Sequence, residues 1–269
     1  MSDRKRTDNE RNDPPGLALL RRSWLPAAVF AVTALFFSGS LQNGFVNWDD
    51  DVNLLLNPNY RGLGWQQLKW MFTTFYMGHY QPLSWLSLAL DHALWGMDPK
   101  GYHLTGLLLH AANAAVFYFV ALRLLRLAAP AGRGEPEAAL PLAAAFASLC
   151  FSLHPLRVEA VVWATERRDT LSGFFYLLTL LYYLKACSPG EDGTRRYRRL
   201  AAAAVLYLFS LLSKGIGVSL PAALILLDIY PLRRLPAADG DWLSAASRKV
   251  WICRKHETSY RVFFPDLNL

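Results

Sequence analysis

Three consecutive carboxylates, Asp49, Asp50 and Asp51, follow the segment Phe45-Val46-Asn47-Trp48, a few residues after the charge-free run 24–41. A carboxylate at a membrane surface is partly desolvated, and such a group works well as a general base. It removes the proton of an acceptor hydroxyl as that hydroxyl attacks. On an extended segment Asp49 and Asp51 share one side and Asp50 points to the other. One carboxylate then acts as base while another orients the acceptor or helps to hold a divalent cation. The structural alternative stays open: Asp50 or Asp51 caps a short helix over 52–56. Three Asp alone fall short of the six or more oxygens that hard cations take, so the metal question is left undetermined.

Two further groups have suitable chemistry. His79 and Tyr80, with His103 further on, are candidates for contacts to a sugar hydroxyl or a phosphate; alternatively they are interfacial aromatics at a turn. His154, Arg157, Glu159, Glu166 and Arg167 lie in HPLRVE and ERRD. Guanidinium groups fork onto phosphate oxygens and offset the charge of a departing phosphate. The competing reading is pairing of Arg167 or Arg168 with Glu166 and Asp169. Lys214, in a turn between two apolar runs, is a candidate for the same phosphate. His110 and Asn113 read as partners in hydrogen bonds between helices.

These residues need elements to hold them, and the apolar residues supply a pattern. They make up 53% of the 269 residues and come in blocks at 24–41, 102–127, 138–154, 171–185, 200–213 and 215–230. Blocks of that kind suit a bilayer core roughly 30 Å thick. Six crossings with 1–23 as a cytoplasmic basic leader and 233–269 as a poorly ordered cytoplasmic tail place 21 of the 28 Lys and Arg inside. Lys and Arg resist translocation, so this excess supports that topology. The +7 net charge is then an interior property, which points to anionic lipid contact and away from nucleic acid.

The segment 42–101 is the long external loop of this scheme. Within it 64–75 is amphipathic and suited to an interface, and 82–95 contains Asp91 and His92, which make it a poor lipid-facing span. Pro155 opens a further external helix on which Glu159, Trp163 and Glu166 share roughly one face. Cys150, Cys187 and Cys253 are scattered and form neither a disulfide framework nor a metal motif. Phosphate loops, nucleophile elbows and zinc signatures are missing from the sequence.

Taken in order, FVNWDDDVNLLLNP, GLGWQQLKWMFTTFYMGHYQPLSWLSLALDHALWG, GYHLTGLLLHAANA, HPLRVEAVVWATERRDTLSGFF and LLSKGIGVSLPAALILLDIYPL resemble the membrane region of the transmembrane-and-tetratricopeptide-repeat proteins. Those are O-mannosyltransferase-like members of the GT-C glycosyltransferase fold. The resemblance covers about 45–232. It implies an all-α, multi-pass helical bundle in which Asp49 and Asp50 match the acidic catalytic motif. It also implies a polyprenyl-phosphate-linked sugar donor and a protein or glycan acceptor hydroxyl on the outer face. Similar proteins continue with more spans and then helical repeats, whereas this chain has an unfamiliar tail from about Arg248; the expectation is a shortened product. Alternatives are a non-catalytic membrane assembly protein that pairs with a partner subunit, and a lipid-linked-sugar transporter or flippase. An Ala/Leu/Arg-rich chain suits a bacterial inner membrane.

Overall fold

The computed structural model describes residues 15–129, 139–188 and 190–234, with side chains from residue 24 onward. The first fourteen residues of the expected leader, and the expected tail from 235 with Cys253, lie outside the described residues. All regular elements among the described residues are helical: α1 (Pro15–Phe36), α2 (Trp65–Thr73), α3 (Pro82–Trp95), α4 (Pro99–Ala128), α5 (Ala139–Ser152), α6 (Arg157–Val162), α7 (Arg167–Ala186), α8 (Gly193–Ser213) and α9 (Leu220–Ile229). Short 3₁₀ turns occupy Ser38–Gln42 and Gly215–Ser219, and one π turn covers Asp51–Leu55.

Among the described residues most of each expected apolar run lies on helix. Boundaries differ where caps decide them. α4 starts at Pro99 because Asp98 accepts the amide of Lys100 at 3.0 Å and proline suits the first turn. α1 begins at Pro15, inside the stretch read as leader, and gives way to the 3₁₀ turn before 41. The run 215–230 divides into a 3₁₀ turn and α9. Among the described helices, α4 is the one both long and apolar enough to cross a membrane; the apolar parts of α1, α5 and α9 are shorter.

α4 is the centre of the assembly. α1, α5 and α7 pack on its length, α3 and α6 touch it, and α7 pairs with α8. Small hydroxyl residues join these helices. Thr33 of α1 meets Ser152 of α5 at 2.9 Å, Ser148 donates to the Ala114 carbonyl at 2.5 Å, and Ser172 of α7 meets Ser210 of α8 at 3.0 Å. Asn113 donates to the Thr170 carbonyl at 2.8 Å and His110 to the Ser152 carbonyl at 2.9 Å, as expected for interhelical partners. These hydrogen bonds and close side-chain packing join the helices.

The segment 42–101 builds its own core. Leu54, Tyr60, Met71, Trp85, Leu88 and Tyr102 are buried together, with Trp70 and Tyr76 packed around Trp85 at centroid distances of 5.3 and 5.6 Å. Burying each large side chain of this kind contributes roughly 1.5–3 kcal/mol. α2 buries Met71, while Trp65 and Phe72 are exposed. α3 ends at Gly96, whose φ of 61° suits glycine. A side chain on Gly101 would overlap Trp95, so that close approach also requires glycine.

By compactness the chain divides at Leu220, and the second unit is described over 221–234. That unit contains most of α9 and an ion pair from Arg234 to Asp228 at 3.4 Å.

Candidate functional site: an acidic loop beside a charged cavity

Asp49 and Asp50 enter a helical turn that runs into the π turn, so the alternation of an extended strand does not apply to them. Their environments differ sharply. Asp50 is fully buried. Its Oδ1 accepts from the Thr165 amide at 2.8 Å and the Thr165 hydroxyl at 2.5 Å, and its Oδ2 accepts from the Val46 amide at 3.1 Å. Asp51 bonds locally, its Oδ1 accepting from the Val52 amide at 2.8 Å. Asp49 is half-buried and has no hydrogen bond or ion pair with a described residue. Thus Asp50 ties the acidic loop to the α6–α7 connection, and Asp49 retains open lone pairs.

His103 stands behind this loop. It is buried on α4, and its Nε2 donates to the Gly44 carbonyl at 3.3 Å. His79 is exposed in a turn closed by the Tyr76–His79 backbone pair, and the Tyr80 hydroxyl donates to the Phe72 carbonyl at 3.0 Å. Neither lines the cavities described here. His154 is exposed, and its Nδ1 accepts the Leu156 amide at 3.2 Å.

A cavity of about 470 Å³ opens between α6, α7 and the turn after α8. Arg157, Glu159, Glu166, Asp169, Tyr176 and Lys214 contribute its polar wall. Lys214 Nζ is held between Glu166 Oε2 at 2.9 Å and Asp169 Oδ1 at 2.6 Å. Arg168 Nε donates to Glu166 Oε1 at 3.0 Å from the other side. Burial opposes the charge on Glu166, but hydrogen bonds with Asp169, Arg168 and Lys214 outweigh it and hold the carboxyl down to about 2. Asp169, in the first turn of α7 ahead of the apolar stretch, is pushed up to about 6 by burial and by the neighbouring Glu166, against the pull of Lys214. Arg157 differs from these. Its guanidinium lies 4.5 Å over the Phe151 ring, and among the described residues it has no carboxylate partner.

Two sequence expectations change here. Arg167 is remote from any open phosphate position: it is buried, ion-paired to Asp91, and bonded to the Tyr102 carbonyl. Burial pushes Asp91 up, against the pull of the Arg167 charge and the hydrogen bonds from Thr105 and Arg167. This pairing also explains why α3 contains an aspartate at all. Second, α6 ends at Val162, and Trp163 is extended, so Glu166 opens α7 instead of continuing the face of Glu159.

A second cavity, about 530 Å³, lies between segment 42–46 and α6; Glu159 lines both. A smaller one, about 240 Å³, reaches inward to His110 and Asn113 and shares Arg157, Asp169 and Tyr176 with the first. Thr165 carries no sequence signal of its own. Asp169, Ser172, Gly173 and Tyr176 do, since their spacing puts them on one helical face. Among the described residues no group of three or more His, Cys, Asp or Glu is arranged to hold a metal.

No protein-family model and no solved structure matches the chain. Curated relatives do. The mouse protein named protein O-mannosyl-transferase TMTC2 is 33% identical over 156 residues, covering 58% of this chain and 17% of that protein. Mouse TMTC4, named likewise, is 26% identical over 239 residues, covering 84% of this chain and 31% of its own length. This chain is TMTC-like. Drosophila melanogaster Tmtc3, also named a protein O-mannosyl-transferase, is 29% identical over 167 residues, covering 58% of the chain and 18% of that relative. The matched regions thus span less than a third of each relative.

Proposed function

We propose that this TMTC-like chain forms the membrane part of a glycosyltransferase that moves a hexose from a polyprenyl-phosphate carrier to an acceptor hydroxyl. The names of its relatives support transfer chemistry. The observation that carries the reading is Arg157: a guanidinium without a carboxylate partner, on the wall of one cavity with Lys214, beside Glu166 and Asp169, which are paired with Lys214. A phosphodiester oxygen supplies the missing anion.

In this scheme Asp49 takes the proton of the acceptor hydroxyl. The acceptor oxygen bonds to the anomeric carbon as its bond to the phosphate oxygen breaks, and the leaving polyprenyl phosphate keeps the electron pair. Arg157 and Lys214 stabilise that developing charge. Asp50 and His103 hold the loop and do not meet substrate. The apolar runs of α1, α4, α5, α7, α8 and α9 are read as membrane-crossing, with the N-terminus cytoplasmic in a bacterial inner membrane and segment 42–101 outside. This orientation follows the Lys and Arg distribution.

The test is transfer from a labelled polyprenyl-phosphate mannose in membranes carrying the wild-type chain or its Asp49→Asn form. Transfer by the wild type and a loss of about 10²–10⁴-fold in the variant is expected for removal of a general base. Equal transfer by both would overturn the assignment of Asp49.

A further inference from the structure

The cavity between segment 42–46 and α6 has no role in the phosphate contacts above, yet it shares Glu159 with the phosphate-facing cavity. In a hexosyl phosphate the sugar ring is one oxygen away from the phosphorus. A ring whose phosphate rests on Arg157 lies close to that phosphate, and the cavity across Glu159 is one of the spaces that adjoin it. Its volume, about 530 Å³, falls within the range of small-molecule sites.

Its wall has the chemistry that recognises a sugar. Phe45, Val46 and Val162 provide apolar surface for the C–H faces of a pyranose, and Asn43 provides an amide. Trp163 adds an indole whose Nε1 donor is buried and has no partner. A buried donor left unmade is costly, so it marks a place where a ligand acceptor is favoured. Glu159 is exposed and has no side-chain partner among the described residues. A carboxylate in that state accepts from two neighbouring hydroxyls at once. The wall is also fixed in place: Asp50 holds the Val46 amide, and His103 holds the Gly44 carbonyl.

We propose that this cavity binds the hexose ring of the donor, with Glu159 accepting from ring hydroxyls and the Trp163 Nε1–H donating to a ring or hydroxyl oxygen. This rests on the donor-phosphate reading and extends it to the sugar. It assigns Glu159 and Trp163 to sugar selection, separate from the phosphate contacts of Arg157 and Lys214.

The experiment measures Kd for two probes on the full chain in lipid nanodiscs: a short isoprenyl phosphate, and the same lipid bearing a mannosyl group on its phosphate. Glu159→Gln and Trp163→Phe are expected to weaken the mannosylated probe about tenfold or more and to leave the bare phosphate within about twofold of wild type, as loss of single ligand hydrogen bonds predicts. Retained binding of the bare phosphate also reports a folded site. Equal weakening of both probes, or unchanged binding of the mannosylated one, would overturn the sugar assignment while leaving the phosphate reading standing. Failure of the wild type to bind either probe would remove the phosphate reading and this one with it.

Discussion

Asp50 and Asp49 are neighbours in sequence but should respond oppositely to substitution. Asp50→Ala removes the acceptor for three donors: the Thr165 amide at 2.8 Å, the Thr165 hydroxyl at 2.5 Å and the Val46 amide at 3.1 Å. Val46 is 45% exposed, so water can reach its amide, but Thr165 is 5% exposed and its two donors stay dry. Two buried orphaned donors and a lost charged acceptor cost about 3–5 kcal/mol. For a domain of this size each kcal/mol moves the midpoint by about 2–4 °C, giving a drop on the order of 10 °C. Asp50→Asn keeps one acceptor oxygen but presents an amide N–H₂ to Val46, and about 1–2 kcal/mol is expected. Asp49→Asn touches no hydrogen bond and should stay within about 0.5 kcal/mol of wild type. Tryptophan fluorescence during heating in detergent, beside a transfer assay well below the midpoint, separates the cases. Asp49→Asn should be stable and inactive; the Asp50 variants should lose stability and activity together. An Asp50→Ala chain that melts with the wild type would refute the claim that this carboxylate anchors the loop.

Two other outcomes follow from the charged groups. Arg167→Met leaves Asp91 buried without its partner and should cost about 3–5 kcal/mol, whereas Arg167→Met with Asp91→Leu should recover most of that loss, because the pair is replaced together; a double variant no better than the single one, in the same melting assay, would show that the pair is not the cause. Asp169, pushed up to about 6, should also govern the pH dependence of donor binding. Below that pH it is neutral and Lys214 is freer to face a phosphate; above it, Asp169 is charged and competes. The mannosylated phosphodiester keeps one negative charge throughout, so its Kd should rise as pH increases from 5 to 7, and Asp169→Asn should flatten that profile.

The apolar blocks by themselves located the core of most long helices among the described residues, and the sequence marked the acidic, HPLRVE and ERRD segments as places of interest, while the all-α fold came from the resemblance. A helix satisfies its own backbone hydrogen bonds within the segment, so this expectation needs no knowledge of neighbours. The similarity to the TMTC proteins was likewise legible from the order of the motifs, since each keeps its residues at local spacing. What each charged residue does was not legible. Arg157 and Arg167 are both arginines on the same stretch, and only packing distinguishes them: α3 brings Asp91 to Arg167, while nothing among the described residues brings a carboxylate to Arg157. Asp49 and Asp50 are adjacent and chemically identical, and Thr165, 115 residues away, is what occupies one of them. The free or engaged state of a polar side chain is set by partners distant in sequence, and only the tertiary structure places those partners.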